Sequence, residues 1–313
     1  MMNKHTIAFY NLENLFDVKD DPYTLDDDFL PWGKKFWTKK RYRKKISKLA
    51  NTIKSIGDEN SGNPPILVGV AEVENAKVLE DLIESQPLQA CKYNYVHYDS
   101  PDERGIDVAL LVNEEVFKIE ETNAIPINIV EENGIKDYTR DALYVNGYIG
   151  NEKVHVLVMH WPSRRDGVEL TSHKRIQAAQ QINLFIKNNI DIGLKDKIVL
   201  MGDFNDNPTD ESLKKYLVTE EFFNPFLSIV RPNKGSLNYR GEWFLFDQII
   251  ISHNFFRPNN NMLKFDKAGI FNDLSLKEWK GKHKGKPFRT FKGKKYMGGV
   301  SDHFPVYICI TST

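Results

Sequence analysis

Residues able to bind a metal or move a proton recur at the ends of apolar runs in this chain. Asn11 follows Thr6 to Tyr10, Glu72 follows Pro65 to Ala71, and His160 follows Val154 to Met159. Asp203 and Asn205 close the run Lys197 to Met201, Asp247 stands in Phe246-Asp247-Gln248-Ile249, and Asp302 adjoins His303 in Ser301-Asp302-His303-Phe304. A strand terminus carries side chains out of the core, where an acid meets water, a metal or a substrate. Taken singly, each is a solvated group or a helix cap more often than a ligand. Their recurrence points to one shared cleft. Oxygen donors without cysteine favour a hard cation such as Mg²⁺, which binds through a few carboxylates plus substrate phosphate, and Mn²⁺ accepts the same ligands. The histidines are then free for proton transfer. That combination suits hydrolysis of phosphate esters, where water is activated and charge on the phosphate oxygens is neutralised.

The elements that must position these groups are legible from periodicity. Thr6 to Tyr10, Pro65 to Ala71, Lys197 to Met201, Phe244 to Ser252 and Phe304 to Ile310 read as strands. Tyr93 to Tyr98 and Ile106 to Val112 flank a turn-rich segment and predict a hairpin, as do Thr139 to Ile149 and Val154 to Met159 around Gly150-Asn151. Helical spacing of apolar residues covers Lys39 to Ile56, Val78 to Ile83 and Leu170 to Lys187. Hairpins mixed with strand-helix units predict a layered α/β architecture with mixed sheets. Asp302 and His303 are neighbours and would point to opposite sides of an extended backbone. A junction between loop and strand must therefore turn both toward one site.

The 313-residue chain is 41% hydrophobic, enough to bury a large core. Site residues spread from Asn11 to His303 favour one domain over residues 1–313, because the two ends must meet. Lys plus Arg balance Asp plus Glu at 43 each, so attraction to a polyanion must be local. Cys91 and Cys309 are the only cysteines, which excludes a disulfide framework and a cysteine-built zinc site. No apolar run approaches the ~20 residues that span a bilayer. The first residues run directly into a strand without a separate hydrophobic signal, which predicts a cytoplasmic protein, or a secreted or periplasmic one if a signal was removed.

In order and spacing, these motifs resemble the endonuclease/exonuclease/phosphatase superfamily, deoxyribonuclease-I-like, in its bacterial type. The resemblance covers essentially the whole chain, and Gly202-Asp203-Phe204-Asn205 paired with Ser301-Asp302-His303 is its most specific part. It implies a four-layer sandwich of two packed mixed β-sheets flanked by helices, with the site at one edge. It further implies that Glu72 binds the metal, helped by Asn11 and Asp302, and that His303 is a general base or phosphate contact oriented by Asp247. Asp203 and Asn205 would position the attacking water and the phosphate, and His160 would assist the leaving group. Asp107 is a candidate partner for orienting His160. Arg140, Arg164 and Arg165 are candidate phosphate contacts, the last two as a bidentate clamp, or else members of surface ion pairs.

Substrate choice falls to two long segments. Asp17 to Thr38 holds Trp32, Phe36 and Trp37, read as exposed aromatics, and Lys277 to Gly299 interleaves lysines with Trp279, Phe288, Phe291 and Tyr296. Basic and aromatic residues together suit a nucleic-acid strand. The expected function is a divalent-metal phosphodiesterase, a nuclease on DNA or RNA. A phosphatase or phosphodiesterase for inositol phosphates or phospholipid headgroups is the alternative, and a catalytically silent binding module on the same fold is a third reading.

Overall fold

A computed structural model describes residues 3–131, 133–165, 167–191, 196–256 and 263–312. The strands of its two main sheets are β1 (Asn3–Leu15), β2 (Leu67–Val73), β3 (Tyr93–His97), β4 (Asp107–Asn113), β5 (Phe117–Ile125), β6 (Ala142–Ile149), β7 (Glu152–His160), β8 (Lys197–Asp203), β9 (Phe222–Phe223), β10 (Asp247–Ser252), β11 (Lys264–Ile270) and β12 (Val306–Ser312). Three helices cover them: α1 (Lys39–Ser55), α2 (Ala76–Ile83) and α3 (Val168–Asn189). The first six-stranded sheet has the order β11-β12-β1-β2-β4-β3, and the second β9-β10-β8-β7-β6-β5. Each sheet holds one parallel pair, β1 with β2 and β7 with β8, flanked by antiparallel neighbours. In both cases a helix lies between the paired strands in sequence, α1 in the first sheet and α3 in the second, as parallel pairing requires a crossover.

Alternation along the strands builds four layers. On β1, Ile7 and Phe9 face the space between the sheets with Val156, Val199 and Ile249 of the second sheet. Ala8 and Tyr10 face outward, onto Ile46, Leu49 and Ile53 of α1 and Val78, Leu79 and Leu82 of α2. The outer face of the second sheet, with Leu157, Leu200 and Ile250, packs on Ala178, Ala179, Ile182 and Ile186 of α3. The expected four-layer sandwich of two mixed sheets is what the chain forms.

Several boundaries differ from expectation. β1 continues through Asn11 to Leu15 rather than ending there. Phe244 to Ser252 is not one strand: Leu237–Tyr239 and Glu242–Phe244 form a small hairpin, and β10 begins at Asp247. The last strand begins at Val306 rather than Phe304, which leaves Asp302 and His303 in the loop before it. β5 and β11 go beyond the strands that periodicity predicts. Both are edge strands with several exposed or half-exposed positions, so they lack the apolar run that marks buried strands.

Candidate active site

The carboxyl ends of both parallel pairs meet, and the second sheet supplies an in-register row. Asp203 pairs directly with His160 on β7 and with Asp247 on β10, so the side chains of adjacent strands emerge side by side. Gly202 makes this approach close: a Cβ there would stand 2.3 Å from the Met159 carbonyl oxygen. His303 closes the row from the loop before β12. Its Nδ1 lies 2.7 Å from Asp247 Oδ2 and its Nε2 3.9 Å from Asp203 Oδ2. On the other flank, His160 Nε2 lies 3.8 Å from the same Asp203 oxygen. All four side chains are buried.

The two imidazoles are held in opposite states. Burial alone would depress His303, but the charge of Asp247, its hydrogen bond, and then Asp203 and Asp302 overcome that and hold it well above the usual histidine range. Burial pushes His160 well below that range, and Arg140, Arg104 and His303 push the same way. Its Nδ1 has no hydrogen-bond partner among the described residues. Between the rings, burial and then Asp247 raise Asp203 to about 7, against His303 and hydrogen bonds from Asn205 N and Asn11 Nδ2 at 3.0 Å each.

The first sheet contributes through bulges. Register shifts occur between Asn11 and Leu15 on β1 and between Ala71 and Val73 on β2. Glu13, Asn14 and Glu72 all take positive φ, near 51°, 51° and 61°. A bulge re-aims side chains at a strand end. Here it lets Asn14 N donate to Glu72 Oε2 at 2.7 Å while Asn11 ties this half to Asp203. Asp302 Oδ2 accepts from Arg289 Nη2 at 2.7 Å, and Ser301 Oγ donates to Asn11 O at 2.7 Å. Among the described residues, neither Glu72 Oε1 nor Asp302 Oδ1 accepts a hydrogen bond, and both residues are only partly buried. Oxygen donors of this kind, facing water, fit a hard divalent cation. Asp203, Asp247 and His303 also bring ligand atoms within 4.8 Å of one another. His303 Nδ1 is already bound by Asp247, so a cation at this trio would have to displace that hydrogen bond.

Other expected site residues fall as follows. Arg140 is buried between Asp102 Oδ2, at 2.8 Å, and the Trp161 carbonyl, at 2.9 Å. Arg164 does not form a clamp with Arg165. Its guanidinium is committed to Asn205 O at 2.6 Å and to Asp206 and Asp210, while Arg165 is exposed. Asn205 Nδ2 donates to Trp161 O at 2.9 Å, which joins the loops after β7 and β8. Asp107 does not orient His160. It bonds His97 Nε2 at 3.0 Å, because His97 pairs with Ala109 and Asp107 is the diagonal neighbour on that face. Trp37 is buried rather than exposed, its Nε1 donating to Phe16 O at 2.9 Å and its ring 5.6 Å from Phe291.

Behind Asp302 lies a buried bracket that sequence patterns do not reveal. Glu13 accepts from Thr290 N at 2.6 Å, and Lys45 Nζ donates to Glu13 O at 2.6 Å and to Thr290 Oγ1 at 2.7 Å. Burial, then Asp302, raise Glu13 to about 7 against Lys45 and Arg289. An acid two residues after a ligand-like Asn carries no pattern that marks it. Through this bracket the segments after Asn11 and before Asp302 interlock: Lys35 Nζ donates to Gly293 O at 2.9 Å, and Phe29 and Trp37 both pack on Phe291.

Among solved structures, an endonuclease/exonuclease/phosphatase family protein from Bacteroides thetaiotaomicron matches with a TM-score of 0.62 and 16% identity, covering 100% of this chain and 99% of that one. A humanized D. rerio TDP2 matches at 0.60 and 13% identity over 98% of each chain, and the human Nocturnin catalytic domain with bound sulfate at 0.57 and 16%, over 99% and 95%. At such identities these likenesses show the fold alone. No curated protein sequence matches the chain. The sequence profile of the Endonuclease/Exonuclease/phosphatase family, whose members are phosphoric ester hydrolases that use divalent metals, matches residues 6–312, and the chain belongs to that family.

Proposed function

We propose that the chain hydrolyses phosphodiesters of nucleic acid with Mg²⁺ or Mn²⁺. The observation that carries this reading is the buried row His160, Asp203, Asp247 with His303 closing it, two imidazoles of opposite protonation on either side of one carboxylate. Asn11, Glu72 and Asp302 would hold the cation, which when bound polarises the phosphate and neutralises its charge. Asp203, raised to about 7, accepts the proton of the attacking water as its oxygen bonds to phosphorus. Asn11 and the Asn205 amide fix that carboxylate. His303, held protonated by Asp247, donates to a phosphate oxygen and stabilises the charge that grows there. His160 faces the same carboxylate with a neutral ring; its N–H hydrogen-bonds the departing oxygen, which takes its proton from solvent as the phosphorus–oxygen bond breaks. Arg140 holds the loop behind His160 through Trp161.

Nucleic acid is favoured as substrate by the lysine-rich Lys277 to Gly299 segment and by the fold neighbour D. rerio TDP2, solved with a single strand DNA product at 14% identity and a TM-score of 0.58. Trp37 is buried, so of the three aromatics that a lipid surface could engage only Trp32 and Phe36 are exposed. Chelated protein is expected to hydrolyse neither an oligonucleotide nor bis(para-nitrophenyl) phosphate, and added Mg²⁺ or Mn²⁺ to restore both. Turnover that survives exhaustive chelation would overturn the reading.

A further inference from the structure

Beside Asp302, a cleft of about 460 Å³ opens between the Leu237–Tyr239 and Glu242–Phe244 hairpin and the Lys277 to Gly299 segment. Its inner wall is Arg289 and Asp302 themselves, so it is continuous with the candidate active site. Farther out it is lined by Arg240, Lys282, Lys286 and Lys292, with Glu278 as the carboxylate among them. Arg289 is neutralised by Asp302 and Glu13, but among the described residues none of these four outer cations forms an ion pair. His283, on the same wall, shows how closely they converge: its pKa is lowered by burial and then by Lys292, Lys286 and Lys282 in turn, against Glu278. Unpaired like charges around one concavity repel one another, and an anion entering it relieves that repulsion.

The wall is built rather than loose. Glu278 N donates to Lys286 O and Gly285 N to Glu278 O at 2.8 Å each, and Val300 N donates to Phe288 O at 2.7 Å. At the rim, Tyr239 is 54% exposed, and the Arg240 guanidinium lies 5.2 Å from its ring centre. A half-exposed ring that already stacks with one cation and stands beside others suits a nucleobase next to its phosphate. Resting on the phosphodiesterase reading above, we infer that this cleft is a subsite for a second phosphate of a single-stranded nucleic acid, flanking the scissile one, with its base against Tyr239.

The test compares the full chain with a combined Lys282→Gln, Lys286→Gln and Lys292→Gln variant, whose melting temperature is checked first. Fluorescence anisotropy of a labelled oligothymidylate, measured with chelator present, reads binding without turnover. Affinity is expected to fall on the order of tenfold, and the slope of log K against log salt to shrink by roughly 0.7 for each phosphate that the variant no longer engages. With metal, the ratio of kcat/KM for oligothymidylate to that for bis(para-nitrophenyl) phosphate, which has no second phosphate, should fall through KM. Unchanged affinity and an unchanged ratio would overturn the inference. An effect on inositol hexakisphosphate competition without an effect on oligothymidylate would also overturn it, assigning the cleft to a phosphorylated sugar. If the unmodified protein cleaves neither substrate, the catalytic reading fails while anisotropy still decides the cleft.

Discussion

The two parallel strand pairs end at the same place but by different constructions. On β7 and β8 the register runs without interruption, so His160 and Asp203 emerge side by side and stay dry. On β1 and β2 the register breaks, three non-glycine residues adopt positive φ, and Glu72 on β2, like Asp302 in the loop before β12, stays partly exposed. Regular pairing holds groups at fixed spacing in a low dielectric, which is what shifted protonation requires. A bulge gives up that regularity to aim oxygens outward, where a hydrated cation can reach them. On the proposed reading, acid–base chemistry and cation binding ask opposite things of a strand pair: β7 and β8 present the dry row that His303 joins from the loop before β12, and the bulged β1 and β2 present the outward oxygens.

The largest effects of substitution are expected in the row that the regular half carries. His303→Ala should lower kcat by about 10²–10⁴-fold with the melting transition retained; steady-state kinetics showing less than a tenfold loss would take His303 out of the reaction. Asp247→Asn should cost about 10–100-fold, the usual scale for a partner that orients a functional imidazole. In the same variant, metal-free, the His303 ring should titrate lower, toward ~6.5, while His160 does not move. Histidine ring-carbon NMR reads both, and an unmoved His303 would break the assigned pairing.

A smaller effect separates the two histidines by pH. The folded pKa of His160 is depressed, so its contribution to stability is present above the unfolded value of ~6.5 and is lost as pH falls below it. His303 runs the other way: its contribution is complete below ~6.5 and is lost as pH rises through its raised folded pKa. Metal-free His160→Asn should therefore melt closer to the unmodified protein at pH 5 than at pH 7, with each kcal/mol worth about 2–4 °C in a chain somewhat smaller than this one. A difference independent of pH would mean that His160 is not buried neutral. Smallest of all should be Asn14→Gly in the bulged half. Its φ near 51° suits glycine, and only its backbone N–H meets Glu72, so stability should change by less than about 1 kcal/mol with activity kept. A tenfold loss of activity would show that the bulge depends on the asparagine side chain.

How much of this is legible in the sequence follows the same division. The strand ends and the residues that close them can be read because a buried strand announces itself as an apolar run, and the motifs sit where those runs stop. The family motif pair and the sandwich are therefore visible in one dimension. Partner choice is not. Asp107 and His97 meet because of a diagonal in the β3–β4 register, and Arg164 meets Asp210 because Asn205 turns the loop at a positive φ of 51°. Glu13 and Thr290 lie 277 positions apart in sequence. Such pairings depend on bulges and turns that alter neither composition nor periodicity. Trp37 departs from its expected exposure for a similar reason: an aromatic in a polar segment looks exposed until Phe29 and Phe291 are seen to enclose it.

β12 lies between β1 and β11 in the first sheet, with Asn3 paired to Ser312 and Phe9 to Val306. During synthesis, β1 therefore waits for the segment from Val306 to Ser312 before its second neighbour exists. Until then the nascent chain presents an unpaired edge of high β-propensity, open to chaperones or to a neighbouring copy. His303 arrives only just ahead of that strand, so the reactive row stays incomplete until this late segment has been made. On the proposed phosphodiesterase reading, the order of emergence from the ribosome itself keeps a partly made chain inactive.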